Sequence, residues 1–228
     1  MFLTVFVGTS AYAEDYKASM FGIKSNGTTL NTTSIQKAID FITEHGGGRL
    51  VFESGNYVTG SIYLKSNVTL QLDYGATILG STNPFDYVKD KKIGWMSMIF
   101  AVNQENIGIT GKGIINGRGF ITANNMVNYI HRGVYTDPLK YDRPNETNRP
   151  QNIYFRECAN IKIIDITLKD PASWNQTYDQ CKNLYVDHIT VDSKSYWNND
   201  GIDVVDCDGV VIKNSYFDAA DDVLCFKS

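Results

Sequence analysis

Apolar residues at Ile35, Ala38, Ile39 and Ile42 fall on one face of a helix, and their spacing predicts an α-helix over residues 33–45 (TSIQKAIDFITEH). Thr32 or Thr33 can cap its start, and Gly46-Gly47-Gly48 ends it. Beyond it the period changes from helical to alternating. The runs LVFES, SIYLK, NVTLQLD, NIGIT, NIYF, NIKIIDITL, NLYVDHITV, GIDVV and GVVIKNSYF are short and bounded by Gly, Asn, Asp or Ser. That pattern predicts strands separated by turns, with no second helix of comparable length. Residues 118–150 follow neither period and predict a long loop protruding from the rest.

The strand runs repeat. QNIYFREC (151–158), WNQTYDQC (174–181) and DGIDVVDC (200–207) correspond, and each is followed by a second similar run: ANIKIIDITL, KNLYVDHITV and DGVVIKNSYF. Cys158, Cys181 and Cys207 are therefore separated by 23 and then 26 residues. A period in this range, filled by short strands, predicts an all-β solenoid, a parallel β-helix in which one repeat makes one coil. Equivalent residues then stack about 4.8 Å apart on neighbouring strands. The helix at 33–45 is expected to cap the open N-terminal end of this stack. The three equivalent cysteines are expected to form a buried ladder of reduced thiols, although stacked coils also bring Cα atoms within disulfide reach. Cys225 is the fourth cysteine. With no CxxC and three histidines, a zinc site is not expected.

Composition narrows the class. The chain has 228 residues, 43% hydrophobic and 20% charged, which suffices for a proper core. A net charge of −4 provides no basic field for nucleic acid or an anionic membrane. No apolar run is long enough to span a bilayer. Phe2 to Val7 followed by Ala11-Tyr12-Ala13 resembles the end of a signal peptide without its basic region. Residues 1–13 are thus read as an incomplete signal peptide and the protein as secreted or periplasmic.

Carboxylates recur at coil spacing. Asp200 and Asp203 lie in WNNDGIDVV, and Asp221 and Asp222 in AADDVLCFKS. Aligning DGIDVVDC with DDVLCFKS sets Ile202 beside Val223, Val204 beside Cys225, and Asp200 beside Asp221. Like charges so close should raise at least one carboxyl pKa, which suits a pair of general acid and general base. Clustered Asp residues can equally be solvated turn residues or a calcium site. Strict alternation sends Asp221 and Asp222 to opposite faces, so a shared site requires the backbone to bend there. Trp174 occupies the position of Asp200 one coil earlier, where an exposed ring suits the apolar face of a sugar. Tyr154, Tyr178 and Tyr196 are read as packing residues.

From residue 30 onward the chain resembles glycoside hydrolase family 28, the polygalacturonases. The likeness is carried in order by GGGRLVFESGNYVTGSIYLKSNVTLQLDYGATILGS (46–81), GKGIINGRG (111–119), NRPQNIYFRECANIKIIDITLKDPASWNQTYDQC (148–181), WNNDGIDVVDC (197–207) and AADDVLCFKS (219–228). The resemblance implies a right-handed parallel β-helix over residues 28–228 and inverting hydrolysis of pectic galacturonosyl bonds. The family's Asn-x-Asp motif falls on Asn198-Asn199-Asp200 and its Asp-Asp motif on Asp221-Asp222. By carry-over, Asp221 is the general acid, and Asp200 and Asp222 hold and deprotonate the attacking water. Asn198, Trp174 and Lys227 are the substrate-binding residues. No cofactor or metal is implied. The expected partner is an acidic plant cell-wall polysaccharide or oligosaccharide, handled by a monomer. The family's later Gly-His-Gly and Arg-Ile-Lys motifs are not among the 228 residues, so C-terminal coils are expected to be missing and the piece to be inactive or poorly folded by itself. SWNQTYDQC replaces the family's His-Pro-containing version, which leaves rhamnogalacturonan beside homogalacturonan as a substrate. The competing readings are a calcium-dependent lyase, which yields an unsaturated product, and a non-catalytic β-helical adhesin or carbohydrate-binding stalk.

Overall fold

The structure is a computed structural model that describes residues 14–137 and 143–228. The segment read as a signal peptide lies outside the described residues. Among the described residues, twenty strands form three parallel sheets of seven, seven and six strands. Each complete coil runs from the third sheet to the first and then to the second. One such coil is Gln151–Arg156, Ala159–Ile164 and Thr167–Lys169, and the next is Gln176–Asp179, Lys182–Asp187 and Thr190–Ser193. This is the parallel β-helix expected from the repeat.

Inward residues stack in register: Ile161 on Leu184 on Val210, and Ile163 on Val186 on Ile212. Phe155 meets Tyr178 edge to face at 5.8 Å, and the buried Tyr178 hydroxyl donates to Gln176 Oε1 at 2.9 Å. Tyr154 and Tyr178 are both buried. The bends between sheets use left-handed backbone, which asparagine tolerates better than other non-glycine residues. Asn67, Asn106, Asn160 and Asn183 all have φ between 55° and 64°. Their side chains form a ladder, each Nδ2 donating to the previous Oδ1 at 2.9–3.0 Å. Cys158, Cys181 and Cys207 form the expected ladder. The first two are buried, Cys207 is half-buried, and all four cysteines are free.

Helix α1 (Thr32–Glu44) takes the place of a third-sheet strand in the first coil and buries Ile35, Ala38, Ile39 and Ile42. Its Gln36 side chain accepts from Tyr63 N at 2.7 Å and donates to Tyr63 O at 3.0 Å. A side-chain amide thus occupies the hydrogen-bonding edge of the third sheet, which blocks pairing with another chain. The expected threonine cap is corrected. Asn31 stands at the N-cap position, and its side chain instead binds Lys24 N, Lys24 O and Thr29 O. Thr32 Oγ1 accepts from Gly60 N at 2.8 Å, so it serves a tertiary contact.

A second helix, α2 (Gly119–His131), corrects the reading of 118–150 as structureless loop. Its buried face is Gly119, Thr122, Ala123 and Met126. The spacing is helical, but three of the four side chains are small or polar, so the hydrophobic period is weak. Strands Gly55–Thr59, Ala76–Gly80 and Ser97–Val102 also add to the predicted set.

Candidate active site

Five successive turns carry the chain from the second sheet to the third: 81–96, 117–150, 170–175, 194–202 and 220–224. Trp174 lies on the third of these, Asn198 and Asp200 on the fourth, and Asp221 and Asp222 on the fifth. Lys227 is on the strand Cys225–Lys227 that follows. The solenoid repeat therefore gathers residues 174 to 227 along one edge of the stack.

Register corrects the pairing read from the sequence. Asp203 pairs with Cys225, Val204 with Phe226 and Val205 with Lys227, an offset of 22 residues. Carried back along the chain, that offset matches Asp200 with Asp222, while of the two carboxylates the charge of Asp221 acts more strongly on Asp200. The simple alignment missed this because 220–224 is bent, not extended, before the strand begins. That bend is the one required for both aspartates to serve one site. Gly201 N donates to Asp222 O at 2.8 Å, and a Cβ on Gly201 would stand 2.4 Å from Val223 O. Glycine is needed there for the two aspartate turns to close on each other.

Asp200 is 4% exposed. Its backbone oxygen accepts from Asn175 N at 3.0 Å and Ser193 Oγ at 2.9 Å. Asn199 ties the turn down by donating to Pro171 O at 3.1 Å and Ser173 O at 2.7 Å. Asp203 is fully buried and its Oδ1 accepts from Lys227 Nζ at 2.5 Å. Lys227 Nζ also lies 4.0 Å from Asp200 Oδ2. Asp200 Oδ1 and Asp203 Oδ2 are buried without a donor. Burial pushes Asp200 up to about 7, reinforced by the charges of Asp203 and Asp221 and opposed by Lys227. Burial pushes Asp203 up to about 6 against the hydrogen bond and charge of Lys227. Burial also works against the Lys227 ammonium, but Asp203 outweighs it and holds Lys227 above its ordinary value. The expected raised carboxyl is thus present, with burial as its main cause and repulsion second. Asp221 and Asp222 are exposed, and Asp221 Oδ1 accepts from Asp222 N at 3.1 Å.

Trp174 is half-buried rather than open. The Lys227 ammonium sits 3.5 Å from its ring centroid, and Trp95 packs on it at 4.5 Å. Asn198 has φ 53°, and its Oδ1 accepts from Arg149 Nη2 and Arg143 Nη2, each at 2.7 Å. Two guanidinium donors on Oδ1 fix the amide orientation and leave Nδ2 as the group available to a ligand.

Three residues outside the predicted set contribute. Asp203 is three residues beyond Asp200 in the same run and was legible as a carboxylate at coil spacing. Trp95 comes from the 81–96 turn, which carries no periodic signal. Arg149 is fully buried and ties three turns together: Nε donates to Pro144 O at 2.9 Å, and Nη1 to Ala172 O at 2.5 Å and Trp197 O at 2.6 Å. Burial pulls its pKa down to about 10. Tyr196 is half-buried and lies under that guanidinium at 5.3 Å, a packing role.

Comparison with known proteins agrees with this geometry. Residues 48–228 match the model of glycosyl hydrolases family 28. The chain is 28% identical to an exo-poly-α-D-galacturonosidase of Dickeya chrysanthemi, over 99% of this chain and 44% of that protein. It is 29% identical to a polygalacturonase of Malus domestica, over 96% of this chain and 45% of that protein. The solved family 28 exopolygalacturonase of Yersinia enterocolitica superposes with a TM-score of 0.81 at 26% identity, over 96% of this chain and 46% of that one. The chain belongs to glycosyl hydrolases family 28. It spans less than half the length of these relatives.

Proposed function

We propose that this chain carries the acid cluster of a pectic glycoside hydrolase that cleaves galacturonosyl linkages, in homogalacturonan or rhamnogalacturonan, with inversion. The observation that carries the reading is the buried Asp200, pushed up to about 7, on a turn hydrogen-bonded to the Asp221–Asp222 turn and flanked by Lys227 and Trp174. Asp221 protonates the leaving glycosidic oxygen as its bond to the anomeric carbon breaks. Asp200 and Asp222 hold the water, and Asp200 takes its one proton as the oxygen attacks that carbon from the opposite face. Asn198 offers Nδ2 to the sugar, and the Trp174 ring packs against it. Lys227 supplies the positive charge that permits carboxylates to cluster around an anionic substrate. The protein is read as a monomer acting outside the cell on cell-wall polysaccharide, without a cofactor. No helix among the described residues is long and apolar enough to cross a membrane.

The test is to incubate the complete protein with polygalacturonate and with rhamnogalacturonan, following reducing ends and ultraviolet absorbance together. New reducing ends without absorbance are expected, and the faster substrate sets the specificity. Absorbance from an unsaturated product would replace hydrolysis with elimination, and neither signal would leave a binding role.

Lys227→Met has a defined pH signature. Lys227 lowers the pKa of both Asp200 and Asp203, so its loss lets both rise. A general base must be ionised, so the acid limb of the kcat/KM profile is expected to move to higher pH. An unchanged limb in the pH–rate profile would show that Lys227 does not govern the base.

A further inference from the structure

We propose that a lysine-lined groove beside residues 88–92 is a distal subsite that binds uronosyl units of the same polysaccharide chain, several sugars away from the acid cluster. This rests on the pectic reading above. The groove has a volume of about 690 Å³ and is lined by Tyr63, Lys65, Lys89, Asp90, Lys91 and Lys92 among others. Four cations thus face one carboxylate.

Two of these cations are structural. Lys65 pairs with Asp40 at 2.8 Å, and Lys89 donates to Thr147 Oγ1 at 2.8 Å and Asn148 Oδ1 at 2.7 Å. Asp90 is also engaged: Oδ1 accepts from Lys92 N and Ile93 N, and Oδ2 from the Tyr63 hydroxyl at 3.3 Å. Lys91 and Lys92 are exposed and have no carboxylate partner among the described residues. In a chain of net charge −4, this is a local positive field suited to an anionic ligand.

Contacts join the groove to the acids. Lys227 bonds to Asp203 at 2.5 Å and lies over Trp174, and Trp174 packs on Trp95. Trp95 O accepts from Asp90 N at 3.0 Å, which anchors the lysine-bearing turn to the tryptophan pair. The third sheet gives the length of this path. Lys227, Val205, Asp179, Arg156 and Val102 are consecutive register partners, and Val102 lines the groove. Four strand steps of about 4.8 Å put the groove about 19 Å from Lys227. At the midpoint Arg156 is shared by Asp179 at 3.6 Å and Glu157 at 3.5 Å, so its guanidinium partly offsets the two carboxylates along the path. A short oligosaccharide seated at the acids does not reach the groove, whereas a polymer does.

The test compares Lys91→Ala/Lys92→Ala with wild type in the complete protein, on polygalacturonate and on trigalacturonate. Two exposed charges predict a KM for the polymer raised roughly three- to tenfold more than the KM for the trimer. The salt dependence of the polymer KM should fall in parallel, because exposed charges are screened. The charge-retaining Lys91→Arg/Lys92→Arg variant should keep the wild-type ratio. Equal effects on polymer and trimer, no effect on either, or a loss in the arginine variant would overturn the inference while the pectic reading stands. Wild type that cuts neither polygalacturonate nor rhamnogalacturonan would overturn both.

Discussion

Asp200→Asn is expected to lower kcat on the pectic substrate by at least about 100-fold while leaving the fold intact, the usual contribution of one acid–base group. The amide has the shape of the carboxyl but cannot take a proton from water. The backbone contacts of Asp200 with Asn175 and Ser193 survive the change, because neither uses the carboxyl. Stability should move the other way. Asp200 has a folded pKa of about 7, well above its unfolded value, so its ionised form is disfavoured by folding. The stability linked to this carboxyl is complete below its unfolded pKa and is lost as pH rises through about 7. Asparagine never ionises, so the variant should melt higher than wild type at pH 8 and show less difference at pH 4. Asp221→Asn should lose turnover to a similar degree. Turnover within a few-fold of wild type in both variants, measured on polymer, would remove the acid–base roles.

The second large effect is on folding. Arg149→Met is expected to destabilise the protein by about 3–5 kcal/mol, because two buried and two partly buried acceptors lose a charged donor at once. The acceptors are the backbone oxygens of Pro144, Ala172 and Trp197 and the side-chain Oδ1 of Asn198. They lie on three successive turns, so the loss loosens the frame around Asn198 and Asp200 as well. The melting temperature should fall by about 2–4 °C per kcal/mol. Arg149→Lys should recover only part of this, since one ammonium does not span the fork that reaches three turns. A methionine variant that melts within two or three degrees of wild type would show that the carbonyls find other donors.

Both effects depend on how the solenoid stacks its turns, and here the readable and unreadable features separate. The alternating runs and the 23- and 26-residue cysteine spacing determined the parallel β-helix, because each coil repeats the same inward positions. The face of α1 was equally plain: Ile35, Ala38, Ile39 and Ile42 are all apolar and regularly spaced. The spacing of Asp200, Asp221 and Asp222 pointed to one candidate site for the same reason, since residues about one coil apart stack on each other. Helix α2 escaped notice because its buried face is built from Gly119, Thr122, Ala123 and Met126.

What the tertiary structure alone decided is the detail within the site. The strand register sets Asp203 against Cys225, one residue off the simple alignment, and the bent segment 220–224 brings the Asp221–Asp222 turn onto Gly201. Burial, more than repulsion, raised Asp200 and brought Asp203 and Lys227 into one hydrogen-bonded cluster. Arg149, Trp95 and the lysines of 89–92 come from irregular turns, where no period links sequence position to spatial position. Periodicity is a property of the repeated strands, so it carries the scaffold and the repeated site residues. Turns that differ from coil to coil find their partners only when the coils are stacked.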